Sequence, residues 1–339
     1  MSIDRTADVK EGQEASNRSA GWGWEILERF GVVFIFIAIL IYFGIQSSTF
    51  SSSQNFQNIA SAQSVTAVLA LALLFPLITG NFDLSTGSIA IASSILVAKI
   101  QHDHAWALLP ACLLAIGIAL LIGLANGLVV TKLGVNSFIA TLASSTIIGG
   151  FIQLYSNNET ISGGFSTKLG EFGINTWIGI PLLALVAIVF SVIIAYVQTQ
   201  TPYGRRLTAV GSNEAAAELV GIRVNRLVLS TFLISALLAA LAGIMLLAQT
   251  NSANPATNGI SVLVPALAAV YLGAAVFFPG VFNVPGMIVG LLLVACLVSG
   301  LTLTGTEPWI LPVCQGGALI IAVGASAQFR KQRLRAKVT

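Results

Sequence analysis

The sequence predicts an all-α polytopic membrane protein of about ten transmembrane helices, and three observations predict it. Hydrophobic residues make up 56% of the 339 and charged residues 9%, with a mean hydropathy of +0.90, a balance that a dispersed soluble domain does not sustain. The charges are segregated: none falls between Arg29 and Asp83, between Glu171 and Arg205, between Arg226 and Glu307, or between Glu307 and Arg330. Each gap holds at least one crossing at roughly 20 apolar residues per span. The apolar runs lack barrel-type alternation, and inside hydrocarbon every backbone N–H and C=O must be satisfied within its own segment, so the spans are helices.

Taken in order, the spans are expected at 27–46, 59–79, 85–100, 106–130, 137–155, 177–197, 227–248, 262–279, 285–304 and 309–327. With the N-terminus inside, fourteen of the sixteen lysines and arginines fall on the cytoplasmic side, and only Lys99 and Lys168 fall outside. That asymmetry predicts both termini in the cytoplasm and an even number of spans. Residues 1–25 form a polar N-terminus of mixed charge, expected to be disordered and not a cleavable signal. Residues 26–329 form the transmembrane domain, and 330–339 a basic tail suited to the anionic inner leaflet rather than to nucleic acid. Residues 47–58 and 156–176 read as outer loops, and 198–226 as the longest inner loop. Cys112, Cys296 and Cys314 lie in apolar stretches and suggest no disulfide framework.

A weak internal similarity links Ala125-Asn126-Gly127-Leu128, followed by Phe138-Ile139, with Val298-Ser299-Gly300-Leu301, followed by Trp309-Ile310. The two pairs cross in opposite senses, which points to inverted-repeat halves, spans 2–5 against 7–10, with a substrate site near the midplane. Chance similarity between two glycine-containing apolar helices is the alternative.

Asp83 interrupts otherwise uncharged sequence from 30 to 98, in Gly80-Asn81-Phe82-Asp83-Leu84-Ser85-Thr86-Gly87-Ser88. Pro76 precedes it, and a short span follows. A broken helix pair around a carboxylate points to a cavity. Two roles stand side by side: Asp83 and Ser85 hydrogen bond a passing solute, or Asp83 accepts N–H bonds at the start of the next helix. Asn126 and Asn136 allow the same pair of readings, cap or pathway, and Gln63, Ser64 and Thr66 put polar groups on the second span. Gln249, Asn251 and Asn254 read as an outer helix end. His102-Asp103-His104 reads as an exposed outer loop and not as a metal site.

In the inner loop, Ser212 or Asn213 can cap a helix of about two turns, Glu214 suits its positive end, Ala215 to Ala217 propagate it, and Gly221 can end it. So short a helix must dock on something, either its own protein or a separate subunit.

The same loop, with Thr201, Tyr203, Gly204, Arg205, Ala209, Gly211, Asn213, Ala216, Ala217, Gly221 and Ile222, resembles the coupling segment of the permeases of bacterial sugar ABC importers of the ribose, xylose, arabinose and galactose type. That family's pattern around Asp83 is matched at Gly80, Leu84, Ser85, Gly87 and Ser88, with Asn81 and Phe82 as departures. Asn126, Gly127, Phe138, Ile139, Thr141 and Leu142 match a further motif, in which Ser137 replaces proline and Ala143 replaces glycine. Of the family's late run of glycines only Gly273, Gly280, Gly286 and Gly290 remain, with Pro279 and Phe282 at two usual glycine positions.

The resemblance implies a permease in the bacterial inner membrane that carries a monosaccharide and pairs with a second copy or a paralogue. It implies a cytoplasmic ABC ATPase and an external sugar-binding protein as partners. Tyr203, Gly204, Arg205, Gly211, Asn213, Glu214, Ala216, Ala217 and Gly221 would couple to the ATPase, and Gln63, Asp83, Ser85, Asn126, Asn136 and Phe138 would border the pathway. No cofactor is expected on this chain: ATP would be used by the partner, and the sequence has no G-x-x-x-x-G-K-[ST] loop. An ion-coupled carrier and a non-conducting member of a permease pair are the alternatives; nothing in the residues suggests an enzyme.

Overall fold

The computed structural model describes residues 31–278, 280–307, 309–317, 319–320 and 323–324. The N-terminal segment 1–25 and the tail 330–339 lie outside the described residues. Within them the chain is almost wholly helical: α1 (Gly31–Gln46), then α2 (Ser53–Ile78), α3 (Thr86–His104), α4 (Leu108–Leu133), α5 (Ser137–Ser156), α6 (Thr167–Ile174), α7 (Leu182–Gln200), α8 (Pro202–Ser212), α9 (Glu214–Leu219), α10 (Val224–Thr250), α11 (Gly259–Gly273) and α12 (Val284–Leu303). Four two-residue strands, β1 (Ile161–Ser162), β2 (Thr176–Trp177), β3 (Ile180–Pro181) and β4 (Ser252–Ala253), pair between helices as β1–β4 and β2–β3.

Among the described residues, α2, α4, α5, α7, α10 and α12 are long and apolar enough to cross a bilayer, so the chain is a multi-pass membrane protein. Ten such helices were expected. The difference lies in α1 and α11, which are shorter, in α3, whose last turns carry Lys99, His102, Asp103 and His104, and in the last predicted span, of which 310–317 are helical.

Several boundaries move for local reasons. α2 begins inside the expected loop 47–58, because Ser52 accepts the Asn55 N–H and caps it. α3 runs past 100 to His104, where Lys99 and Asp103 pair at 2.9 Å one turn apart and Ala105 closes the helix at φ 52°. The His-Asp-His run is therefore the end of a helix and not a loop. The expected outer loop 156–176 holds β1 and α6, and the inner loop folds into two helices, with Thr201 capping α8 and Asn213 capping α9. α11 covers 259–273 in place of 262–279.

α10 is the central post, packed against α4, α2 and α3. α2 and α10 are buried on most sides, whereas α4, α5 and α7 turn broad aliphatic faces outward, with Leu121, Ile147, Leu154 and Val192 all exposed. That arrangement suits helices bathed in lipid, where contact between helices depends on close packing and not on escape from water. Small residues make the approach possible. A Cβ on Gly123 of α4 would stand 2.6 Å from Ala236 of α10, and one on Gly243 of α10 would collide with the Ala90 carbonyl of α3.

Overpacking such a seam costs about 1–3 kcal/mol. Gly243→Val should therefore lower the thermal unfolding midpoint in detergent by several degrees, while Gly117→Val, which meets open space, should leave it unchanged.

Candidate functional site

The break between α2 and α3 is built around one carboxylate. Pro76 lies inside the last turn of α2, and its carbonyl accepts from Thr79 Oγ1 at 2.8 Å and from the Asn81 N–H at 2.9 Å. Gly80, at φ 82°, then turns the chain away. Asp83 follows at 1% exposure. Its Oδ1 accepts from the Ser85 N–H at 3.1 Å and from Ser85 Oγ at 2.5 Å, and its Oδ2 accepts from Ser235 Oγ of α10 at 2.7 Å. Asn126 Nδ2 of α4 donates to Ser85 Oγ at 2.9 Å. The carboxylate thus ties the start of α3 to α10, Ser85 extends the tie to α4, and among the described residues no cation pairs with the carboxylate.

α5 finishes the loop. Ser137 Oγ accepts the Phe82 N–H and Thr141 Oγ1 accepts the Leu84 N–H, each at 3.0 Å, while Ser88 and Ser145 share a hydrogen bond of 2.7 Å. Two departures from the pattern that the resemblance sets, Phe82 and Ser137, meet here. Ser137, standing where the family has proline, supplies the acceptor for Phe82, and the Phe82 ring stands edge-on to Phe138 at 6.1 Å. Phe282, at a usual glycine position, does likewise with Tyr271 at 5.3 Å, and its carbonyl accepts from Gln198 Nε2 at 2.6 Å.

The structure places the six pathway candidates in different settings. Asp83, Ser85 and Asn126 are buried together in the tie, closed to solvent. Asn136 is exposed and caps α5 by accepting the Phe138 N–H at 2.9 Å; Phe138 is half exposed above it. Gln63 is half-buried on α2, away from this cluster.

The nine coupling candidates divide between inward and outward positions. Tyr203 is half-buried: its hydroxyl shares a 2.8 Å hydrogen bond with Ser230 of α10, and its ring stands edge-on to Phe75 of α2 at 5.9 Å. Gly204 and Gly211 are spacers, since a Cβ on the first would strike the Gln198 carbonyl and on the second the Ile78 carbonyl at the end of α2. Ala217 is buried with Val210, Val224, Val228 and Phe232. Arg205, Asn213, Glu214, Ala216 and Gly221 face outward, with Gly221 at φ 84° ending α9.

Two residues not singled out in the sequence complete that outer face: Leu219 is 89% exposed and Val220 76%. The signal was available, because Leu219 lies two positions, about 200° of helix, from the inward Ala217.

A model of the family described as "Branched-chain amino acid transport system / permease component" matches residues 55–323. The ribose import permease protein of Haemophilus influenzae is 33% identical over 307 residues, 88% of this chain and 94% of that one. The ribose import permease protein of Bacillus subtilis is 32% identical over 299 residues, 88% and 92%. The L-arabinose ABC transporter permease protein of Azospirillum brasilense is 26% identical over 339 residues, 100% and 99%. No solved structure matches.

Leaving buried donors without an acceptor costs about 1–3 kcal/mol each. Asp83→Leu should abolish monodisperse folded protein on size exclusion, whereas Asp83→Asn, which keeps an acceptor oxygen, should recover most of it. A stable, monodisperse Asp83→Leu protein would show the tie to be dispensable.

Proposed function

Because the chain belongs to the family of branched-chain amino acid transport system / permease components, we propose that it is the membrane-spanning subunit of an ATP-driven importer for a monosaccharide, a pentose, a hexose or a related polyol. Relatives named for ribose, L-arabinose, fructose and D-allose support the substrate class. In this reading the chain crosses the inner membrane about ten times, with inverted-repeat halves and both termini in the cytoplasm. It pairs with a second copy or a paralogue and receives its sugar from an external binding protein. A separate cytoplasmic ABC ATPase consumes the ATP, and the chain itself is a transport subunit and not an enzyme.

The observation that carries the proposal is the α8–α9 helix pair. Its inward residues fasten it to the membrane helices, while Leu219 and Val220 stand almost bare on its outer side. Exposed aliphatics at the end of a helix of six residues, Leu219 its last residue and Val220 its C-cap, suit insertion into an apolar groove on another subunit. Motion of the pair has two short routes inward. Gly211 bears on the Ile78 carbonyl, five residues before Asp83, and Tyr203 holds Ser230, five residues before Ser235. Both lead to the Asp83 tie, so ATP-driven movement of the partner would bias how α2, α3 and α10 sit together. An ion-coupled carrier has less support, since Asp83, the acid expected at membrane depth, is sealed from solvent.

Leu219→Glu tests the docking face without touching the internal contacts. We expect unchanged amounts in the membrane, loss of ATPase co-purification and uptake reduced at least about tenfold, the equivalent of roughly 1.4 kcal/mol. Uptake at the parent rate would remove the docking assignment. Gly211→Arg is a poorer test, because the collision with Ile78 would disturb the fold itself.

A further inference from the structure

α11 starts at a level part-way along α10 and not at its end. Gly259, its first residue, packs against Gly87 and Ser88 near the start of α3. Two residues further along α3, the Ala90 carbonyl meets Gly243 of α10. From Gly243 to the end of α10 at Thr250 is about 10 Å of helix, and from Ser88 to the end of α3 at His104 about 24 Å. In the other direction, Gly243 stands about 28 Å from the start of α10 at Val224. The fifteen residues of α11 extend about 22 Å, enough for only the remaining part of a hydrocarbon layer of about 30 Å.

Residues 251–258 therefore run back from the end of α10 to the level of Ser88, about 10 Å below that end, without forming a helix. Asn251, at φ 52°, ends α10; β4 pairs with β1 through Ile161 and Ala253; Ala253 and Pro255 turn inward. Asn254, Asn258 and Ser261 are exposed. Asn254 Oδ1 accepts the Ala256 N–H and Asn258 Oδ1 the Ile260 N–H, each at 2.9 Å, which leaves the amide NH₂ groups directed to the surroundings. Non-helical backbone and bare amides at this depth cannot face acyl chains, because each unsatisfied polar group there costs several kcal/mol. They must face protein or water.

We propose that residues 254–261 form a wall of a water-filled outer vestibule, in which Asn254, Asn258 and Ser261 offer hydrogen bonds to a neutral, polyhydroxylated solute. The nature of the solute rests on the transport reading; the vestibule rests on the depth and exposure of the segment. The two amide NH₂ groups donate, and the Ser261 oxygen, whose proton goes to the Asn258 carbonyl at 2.6 Å, accepts, so the segment offers both roles to sugar hydroxyls and places no charge in the path.

The test is single-cysteine labelling of the full chain in right-side-out membrane vesicles, with Cys112, Cys296 and Cys314 replaced by alanine. Asn254→Cys, Asn258→Cys and Ser261→Cys should react with a membrane-impermeant maleimide at least about tenfold faster than Leu121→Cys on the lipid-facing side of α4. Labelling at the Leu121→Cys rate overturns the vestibule, as does an oxidant-induced disulfide between two copies through these cysteines, which would make the segment a dimer seam. Uptake by the cysteine-free parent is measured separately, so failure of the transport reading shows there and not in the labelling rates.

Discussion

A backbone that stops being helical inside a bilayer must find every hydrogen bond from somewhere other than water, and the architecture is arranged around two places where it does so. At the first, between α2 and α3, the chain has one buried carboxylate. Asp83 takes the Ser85 N–H, the Ser85 hydroxyl and the Ser235 hydroxyl, while Ser137 and Thr141 reach across from α5 for the N–H groups of Phe82 and Leu84. At the second, between α10 and α11, the chain is satisfied by a β clip and by asparagine side chains, and remains open on one side. The two breaks touch through Gly87, Ser88 and Gly259. One is sealed and one is exposed.

The α8–α9 pair is tied into the same arrangement. Its spacers and its tyrosine bear on the end of α2 and on α10, the elements on either side of the Asp83 tie. A rigid, small-residue seam between α10 and its neighbours carries movement better than a loose one, because close-packed helices slide or rock as units. Glycine at 204 and 211 and alanine at 217 are thus requirements of contact, and the residues available to a partner are the ones around them.

Chemical pattern along the chain was enough for much of this. Apolar runs and segregated charges specify a multi-pass helical protein, because the cost of burying charge and bare backbone in lipid acts locally on each segment. Capping by Asn213 and the left-handed Gly221 at the end of α9 were legible for the same reason. The spacing of Tyr203, Gly204, Arg205 and the residues after them carried the family resemblance, and Asp83 stood out because it is so expensive where it lies. Boundaries were less legible: α8 was missed because Pro202 to Ser212 is polar and short, and its helicity depends on packing Leu207 and Val210 inward.

What tertiary structure alone decided is which side of each candidate faces what. The sequence left Asp83 both a solute ligand and a loop former; that the Ser235 hydroxyl, 152 positions away, donates to its Oδ2 was set by the fold. It grouped Gly211 with Ala216 as docking residues; the Ile78 carbonyl puts one inside and leaves the other out. It placed Asn254 at a helix end, where it stands just past α10; that Gly259, five residues on, meets Ser88 of α3 was not legible. Composition and spacing determine what a segment can tolerate around it, and a single sequence holds that information residue by residue. Which distant group arrives to satisfy it is set by the packing of the whole bundle.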